Sequence, residues 1–267
     1  MTGIPTAEAP QSSRLLVERT VLDEQVRGAG RDPQPWGLRA WLGPLVALAV
    51  VVVGVDLVPV IAPDRGFGRT LVGITALVGG ELLLLGALLL CGRTLAARGG
   101  GWRATFGFDW IRGRDWVPWL LGLLIVYVCR TTVLLIAAAA TDGRAVQEAG
   151  NLDVGRPTVL SVVVIGLTVV VLTPITEELM FRGLLLRTFL RRMPFWPAAL
   201  LSTLLFALLH VPQVDTVTGA VTLALTVAVL GLGNCYLVRI TGRLAPAMMV
   251  HASFNLLPLV FAFATAS

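Results

Sequence analysis

The chain has 267 residues, of which 56% are hydrophobic and 14% are charged, and its formal net charge is +5. So few charged residues cannot cover the surface of a soluble domain of this length, which makes lipid the expected solvent. The positive charge does not predict a nucleic-acid partner, because the basic residues do not cluster on one soluble segment with interleaved aromatic residues.

Residues 1–38 form a polar leader ahead of the first apolar run. Prolines near both of its ends predict a loosely ordered cytoplasmic tail. The apolar residues between these prolines also fit a short amphipathic helix lying on the membrane surface, and both interpretations stay open. These apolar residues are Leu15, Leu16, Val17, Val21, Leu22 and Val26.

Seven apolar runs follow the leader, and each is closed by polar or arginine-bearing segments. They are long enough to cross a hydrocarbon core about 30 Å thick. We therefore predict an all-α fold, a polytopic membrane helix bundle over residues 39–267, with the lipid bilayer as its surroundings. The fifth run is short, so six or eight spans remain alternatives. The runs are residues 42–61, 70–91, 116–140, 158–181, 195–211, 216–238 and 244–266.

All 21 basic residues are arginines, and they are distributed asymmetrically among the loops. Sixteen lie before the first run, between the second and third runs, after the fourth run and before the seventh, all on one side of the membrane. Because positive residues are retained on the cytoplasmic side, the N-terminus is predicted to be cytoplasmic. The arginine-rich, lysine-free composition indicates GC-rich coding, and we expect a bacterial cytoplasmic (inner) membrane. Only Arg65, Arg69, Arg144 and Arg156 fall in loops on the other side.

The two longer loops carry no recognisable chemistry. Residues 92–115 include three consecutive glycines without a following lysine, which predicts a flexible cytoplasmic connector and not a phosphate-binding loop. Residues 141–157 are predicted to be an ordinary external loop. The cysteines Cys91, Cys129 and Cys235 are dispersed among apolar runs without metal-ligand spacing, so we expect them to be core residues.

Ionisable residues inside the apolar runs are the first place to look for function, because each costs several kcal/mol in lipid unless it is paired or faces a polar cavity. Asp56, Glu81 and Arg130 lie on separate early spans, and an ion pair such as Glu81 with Arg130 is the expected explanation, with a direct catalytic role as the alternative. The remaining polar and ionisable side chains concentrate in the last four spans, and they include both histidines. They are Glu177, Glu178, Arg182, His210, His251 and Asn255.

The fourth span places two adjacent glutamates in different surroundings. Glu178 and Arg182 are four residues apart, so they share a helix face and are expected to form an ion pair. Glu177 points about 100° away and is left free to act as a general base. Pro174 should leave the carbonyl of Val170 without its helical partner and bend the helix near a polar cavity. Alternatively, these charges are an interfacial cluster that ends the span.

The fifth and seventh spans add groups that fit a hydrolase. Phe206 and His210 are one helical turn apart, and so are His251 and Asn255. Hydrolysis of a peptide bond needs a base that activates water and donors that stabilise the oxyanion. Glu177 with His210 would activate the water, and His251 with Asn255 would donate to the oxyanion.

These three spaced motifs together resemble those of the CPBP family, also called Abi, which includes CAAX prenyl endopeptidases of the Ras-converting-enzyme type and bacterial proteins linked to bacteriocin processing. The resemblance covers about residues 158–260. It implies an intramembrane, glutamate-dependent endopeptidase that cleaves a membrane-associated peptide or protein. It also implies the same roles for the glutamate, histidine and asparagine positions, with Glu178 and Arg182 in support.

Other interpretations remain beside this one. A non-catalytic scaffold or bacteriocin-immunity protein would use the same fold. A transporter is less consistent, because no inverted repeat is visible in the sequence. We expect no cofactor; a zinc ion is the alternative, although the spacing is not HExxH and Asn255 would be an unusual zinc ligand. The oligomeric state and the substrate stay open.

Overall fold

The computed structural model describes Leu22 and residues 38–61, 67–98, 101–150 and 158–266. Every regular element in these segments is a helix, which confirms the all-α membrane bundle. The leader residues on which the two interpretations rest lie outside the described part of the chain, apart from Leu22. Leu22 is helical and fully buried.

All seven predicted apolar runs form helices. Five of them are long and apolar enough to cross a membrane, and the first and last contain shorter apolar stretches, Leu42–Gly54 and Ala245–Val260. In chain order the elements are α1 (Leu38–Ile61), α2 (Phe67–Arg98), α3 (Trp102–Phe106), α4 (Trp116–Thr141), α5 (Arg144–Glu148), α6 (Val159–Leu190), α7 (Phe195–Leu208), α8 (Val217–Thr241) and α9 (Ala245–Ala266).

Helix α8 lies at the centre of the bundle. It packs against α4, α7 and α9, and the buried residues on it recur along its whole length. The outer helices instead expose apolar side chains such as Leu90 and Leu124, as lipid-facing helices do. Helix α1 packs mainly on α2, and α2 connects this hairpin to α6.

The described part of the connector between α2 and α4, residues 101–115, is held by contacts with the turn between α8 and α9, whereas the sequence predicted a flexible loop. Residues 101–115 contain α3, and Arg243 anchors them by pairing with both carboxylate oxygens of Asp115 and by donating to the carbonyl of Trp110 (2.7 Å). The N–H of Leu244 donates to the carbonyl of Gly107 (2.9 Å). Because these partners lie more than 120 residues away in the sequence, local composition could not reveal them.

Gly107 shows why a glycine is needed in this connector. Its φ is 70°, in the left-handed region, and a Cβ atom there would collide with the carbonyl oxygen of Gly242 and with the Arg187 guanidinium. Arg187 is buried and donates to the same Gly242 carbonyl at 3.1 Å. The connector is thereby packed directly onto the turn between α8 and α9.

Candidate active site

Helix α6 is wound irregularly around the two glutamates. Two π-helical segments, Thr168–Leu172 and Leu179–Leu185, flank a short α-helical turn, Thr173–Glu178. Single π-helical turns inside α-helices are frequent at functional sites. The irregular winding therefore marks the segment in which functional side chains are to be sought.

Pro174 interrupts the hydrogen-bond ladder of α6 in the first π-helical segment. The N–H of Thr173 donates to the carbonyl of Thr168, five residues earlier, so the next bond in this register would need an N–H on residue 174. Proline has none, and the carbonyl of Val169 is instead paired with the Asn255 side-chain amide at 2.9 Å. The sequence analysis considered only the α-helical register, in which Pro174 removes the partner of the Val170 carbonyl; the bond between Thr173 and Thr168 is a π-helical one, and in that register the proline also removes the partner of Val169.

A neighbouring helix also supplies a bond to the second π-helical segment. The carbonyl of Phe181 accepts from the N–H of Leu186 and from the hydroxyl of Ser202 on α7 at 3.1 Å. Each π-helical segment of α6 therefore has a carbonyl that accepts a hydrogen bond from a side chain of another helix.

Glu178 is the centre of a fully buried polar cluster. Its Oε1 accepts from Arg182 (3.0 Å), from the amide of Asn234 (2.8 Å) and from His251 Nδ1 (2.9 Å). Glu178 and Arg182 are both 0% exposed, so the ion pair expected from their spacing is confirmed and lies in the protein interior. The buried charge is neutralised by its own helix and fixed by two others.

Asn234 is the member of this cluster that the sequence reasoning missed. It lies on α8, is completely buried, and also donates to the carbonyl of Ala247 at 3.2 Å. A usable signal was present, because Asn234 is an amide side chain in the middle of an apolar span, where a polar group needs partners.

Glu177 has different surroundings from its neighbour. Its Oε2 forms no hydrogen bond among the described residues and faces His251 Nε2 at 3.4 Å, and its side chain is 20% exposed. His251 therefore lies between the two carboxylates. Because its Nδ1 donates to Glu178, the neutral ring carries a lone pair on Nε2, directed at Glu177.

His210 joins the site through an aromatic contact. Its Nδ1 donates to the carbonyl of Phe206 at 2.9 Å, which leaves Nε2 as the acceptor in the neutral ring. The Phe206 ring contacts the rings of His210 and His251, with centroids 4.9 and 5.8 Å away, and lies 4.5 Å from the Arg182 guanidinium. Among the described contacts, the imidazole that meets Glu177 belongs to His251 and not to His210.

The segment that carries these side chains matches a known protein family. Residues 159–257 match a family model described as Type II CAAX prenyl endopeptidase Rce1-like. Over these residues the chain is similar to that family, and we call residues 159–257 the Rce1-like core. The match confirms the family resemblance of the three motifs and contains all six predicted site residues. No curated protein and no solved structure matches the chain.

Outside the Rce1-like core, the predicted pair of Glu81 and Arg130 is wrong. Glu81 accepts from the hydroxyls of Thr173 (2.8 Å) and Thr176, both in the turn that carries Glu177. Arg130 lies over the rings of Tyr127 and Phe254, 5.7 and 5.1 Å from their centroids. Aromatic faces can hold a cation in place of a carboxylate, and the sequence does not show which way each helix faces. The third residue of this set, Asp56, has its side chain outside the described part.

The donor atoms around Glu177 and His251 are the ones that could bind a zinc ion. Among the described residues, no group of three or more His, Cys, Asp or Glu side chains is arranged to hold a metal. His251 Nδ1 is committed to Glu178, which leaves Glu177 Oε2 and His251 Nε2 as neighbouring donors. A catalytic zinc site usually has three protein ligands, so this pair alone does not fit one.

Proposed function

We propose that this integral membrane protein is an endopeptidase that hydrolyses a peptide bond of a membrane-associated substrate, with Glu177 as the general base. The observation that carries the proposal is the contrast between the two glutamates. Glu178 accepts three hydrogen bonds, whereas Glu177 presents an unbonded oxygen to His251 Nε2 at 3.4 Å. A general base must have a lone pair that no hydrogen bond already occupies, and Glu177 has one next to a histidine nitrogen that can take the proton onward.

In the proposed reaction, Glu177 takes a proton from water while the water oxygen attacks the substrate carbonyl carbon. His210 helps to orient the water, because its Nε2 can accept a hydrogen bond. The proton passes from Glu177 to His251 Nε2, which then donates it to the leaving amine as the C–N bond breaks. Glu178 keeps the His251 ring in the orientation that this transfer requires.

The oxyanion is stabilised by donors on α9. Asn255 uses one hydrogen of its amide on the Val169 carbonyl and has a second one for the oxyanion. His251 becomes a donor on Nε2 once it holds the proton from the water. Donors of this kind act where charge develops, so they accelerate the reaction more than they strengthen substrate binding.

The substrate is proposed to be a membrane-associated peptide, because the acidic residues lie within span Val159–Leu190. A peptide bond reaches them only if the substrate enters the membrane region. A precursor peptide of the bacteriocin type fits the bacterial setting expected from the composition. A lipid-modified C-terminal peptide is the second class to test, since the matching family is described by its CAAX prenyl endopeptidases.

The experiment compares the membrane-bound peptides of cells that carry the wild-type protein, Glu177→Gln or Glu148→Gln. Glu148 is the matched control, because its carboxylate binds Thr216 in a loop outside the site. We expect one or more peptides to be cleaved with the wild type and the control but to stay intact with Glu177→Gln. Cleavage that survives in purified Glu177→Gln would refute the base. Identical peptides in all three cultures would favour the scaffold.

A further inference from the structure

A glutamate outside the Rce1-like core reaches the segment that carries Glu177. Glu81 of α2 is 8% exposed, and its two carboxylate oxygens accept from the hydroxyls of Thr173 and Thr176. A carboxylate within a membrane span costs several kcal/mol unless it is paired. Both oxygens of Glu81 are satisfied by hydroxyls of a single turn of α6, which makes this turn the partner of the side chain.

The two threonines lie in the helical turn that leads to the proposed base. Thr176 immediately precedes Glu177 and is fully buried, and Thr173 lies one helical turn before Glu177. Glu81 therefore holds the one turn of α6 from which the Glu177 side chain projects.

This turn needs support from outside its own helix. It lies between two π-helical segments and contains Pro174, so its own hydrogen-bond ladder is interrupted. Asn255 of α9 holds the first π-helical segment and Ser202 of α7 holds the second. Glu81 supplies the corresponding anchor from α2 to the turn between them.

We propose that Glu81 is a positioning residue that orients the catalytic Glu177 through the hydroxyls of Thr173 and Thr176. The inference rests on the proposed peptidase function. It makes α2, which lies outside the matched residues, part of the working site. A displacement of the base by about 1 Å is enough to cost a hundredfold in rate, so the loss of this anchor should be visible in turnover.

The kinetic test separates hydrogen bonding from packing. We expect Glu81→Ala and Thr176→Val to lower kcat about ten- to a hundredfold with little change in KM. Thr176→Ser keeps the hydroxyl and should keep nearly wild-type turnover. If packing were the cause, Thr176→Ser would be the more damaging change, because valine has nearly the shape of threonine and serine does not. That reversed order would overturn the proposal.

Glu148→Ala is the matched control, since it removes a glutamate that accepts from a threonine hydroxyl (2.9 Å) away from the site. It should leave kcat and KM unchanged. The double variant Glu81→Ala/Thr176→Val should be no slower than the slower single variant, because both changes break the same contact. Losses that simply multiply would show that the two residues act separately and would refute the proposal.

A second measurement does not depend on activity. Hydrogen exchange of the peptides spanning residues 170–180 should be faster in detergent-solubilised Glu81→Ala than in the wild type, and unchanged in Glu148→Ala. If the wild type cleaves no peptide, the proposed function fails while the exchange still tests the anchor. Equal exchange in all three proteins, or an unchanged kcat of Glu81→Ala in an active enzyme, would refute the positioning role.

Discussion

Asn255 donates to the carbonyl of Val169 at 2.9 Å, and Val169 is the residue whose π-helical partner would be Pro174. The amide that is proposed to stabilise the oxyanion therefore also completes the hydrogen bonding of the helix that carries the proposed base. A substitution of Asn255 should consequently change both the stability and the turnover, and the two effects can be separated.

Asn255→Ala should destabilise the protein by about 1–3 kcal/mol by leaving the Val169 carbonyl unpaired. In a Pro174→Ala background the main chain regains an N–H, so the same substitution should cost much less stability. Turnover should fall about a hundred- to a thousandfold in both backgrounds, because the oxyanion donor is lost in each. Thermal unfolding in detergent and single-turnover cleavage are the measurements. An equal loss of stability in both backgrounds would contradict the role assigned to Val169.

Glu178→Gln should be more destabilising than Asn234→Ala. The first change leaves the buried Arg182 charge without a counter-ion, at a cost of about 3–5 kcal/mol. The second removes one of three donors to Glu178 and the donor to the Ala247 carbonyl, and should cost about 1–3 kcal/mol. Unfolding midpoints in one detergent provide the comparison.

A double substitution isolates the ion pair. Glu178→Met/Arg182→Met removes both charges and should recover most of the stability that Glu178→Gln loses. It should still be inactive, because His251 Nδ1 loses its acceptor. A double variant that is less stable than Glu178→Gln would show that the ion pair stabilises the folded protein by more than the mutual neutralisation of its two charges.

Residues 101–115 should be held less firmly in acid, because Asp109 forms ion pairs within this segment, with Arg103 and Arg112, and also lies 3.6 Å from Arg243 of the α8–α9 turn. Partial burial acts to raise the pKa of Asp109. Hydrogen bonds from the Trp110 N–H and from Arg112, together with the positive charges of Arg112 and Arg103, outweigh this effect and hold the pKa below its usual value. Its stabilising contribution is therefore complete above the ordinary aspartate pKa of about 3.9 and is lost as the pH falls through the lower folded-state pKa.

A spin label at Ile111→Cys can report this change, because Ile111 is exposed in the same segment. The label should stay immobile from neutral pH down to about pH 4 and become mobile below it. With Asp109→Asn the label should be more mobile at neutral pH and respond less to acid. A label whose mobility rises equally in both proteins would point to another titrating group.

The distribution of arginines predicts that Arg114 is cytoplasmic and Gln147 is external. Both side chains are exposed, Arg114 in the turn before α4 and Gln147 in the short helix α5 after it, so single cysteines there should be accessible. In intact cells, and in a background without the native cysteines, an impermeant reagent should label Gln147→Cys and spare Arg114→Cys until the cells are opened. The opposite result would invert the predicted orientation of the N-terminus.

The sequence by itself determined the membrane bundle, and its three spaced motifs supplied the six residues that are proposed to carry the chemistry. Long apolar runs leave few alternatives to helices, because each backbone polar group in lipid must be satisfied within its own segment. Spacing along one helix likewise predicted the Glu178–Arg182 pair, since residues four apart share a face. These are local properties, and local properties can be seen in a sequence.

Contacts between helices were decided only by the tertiary structure. Glu81 bonds to Thr173 and Thr176 and not to Arg130, His251 meets Glu177, and Asn234 completes the Glu178 cluster. Each depends on how two helices are rotated and shifted against one another, which their own periodicity does not define. The π-helical register of α6 likewise decided that Val169, and not Val170, is the carbonyl that Asn255 satisfies.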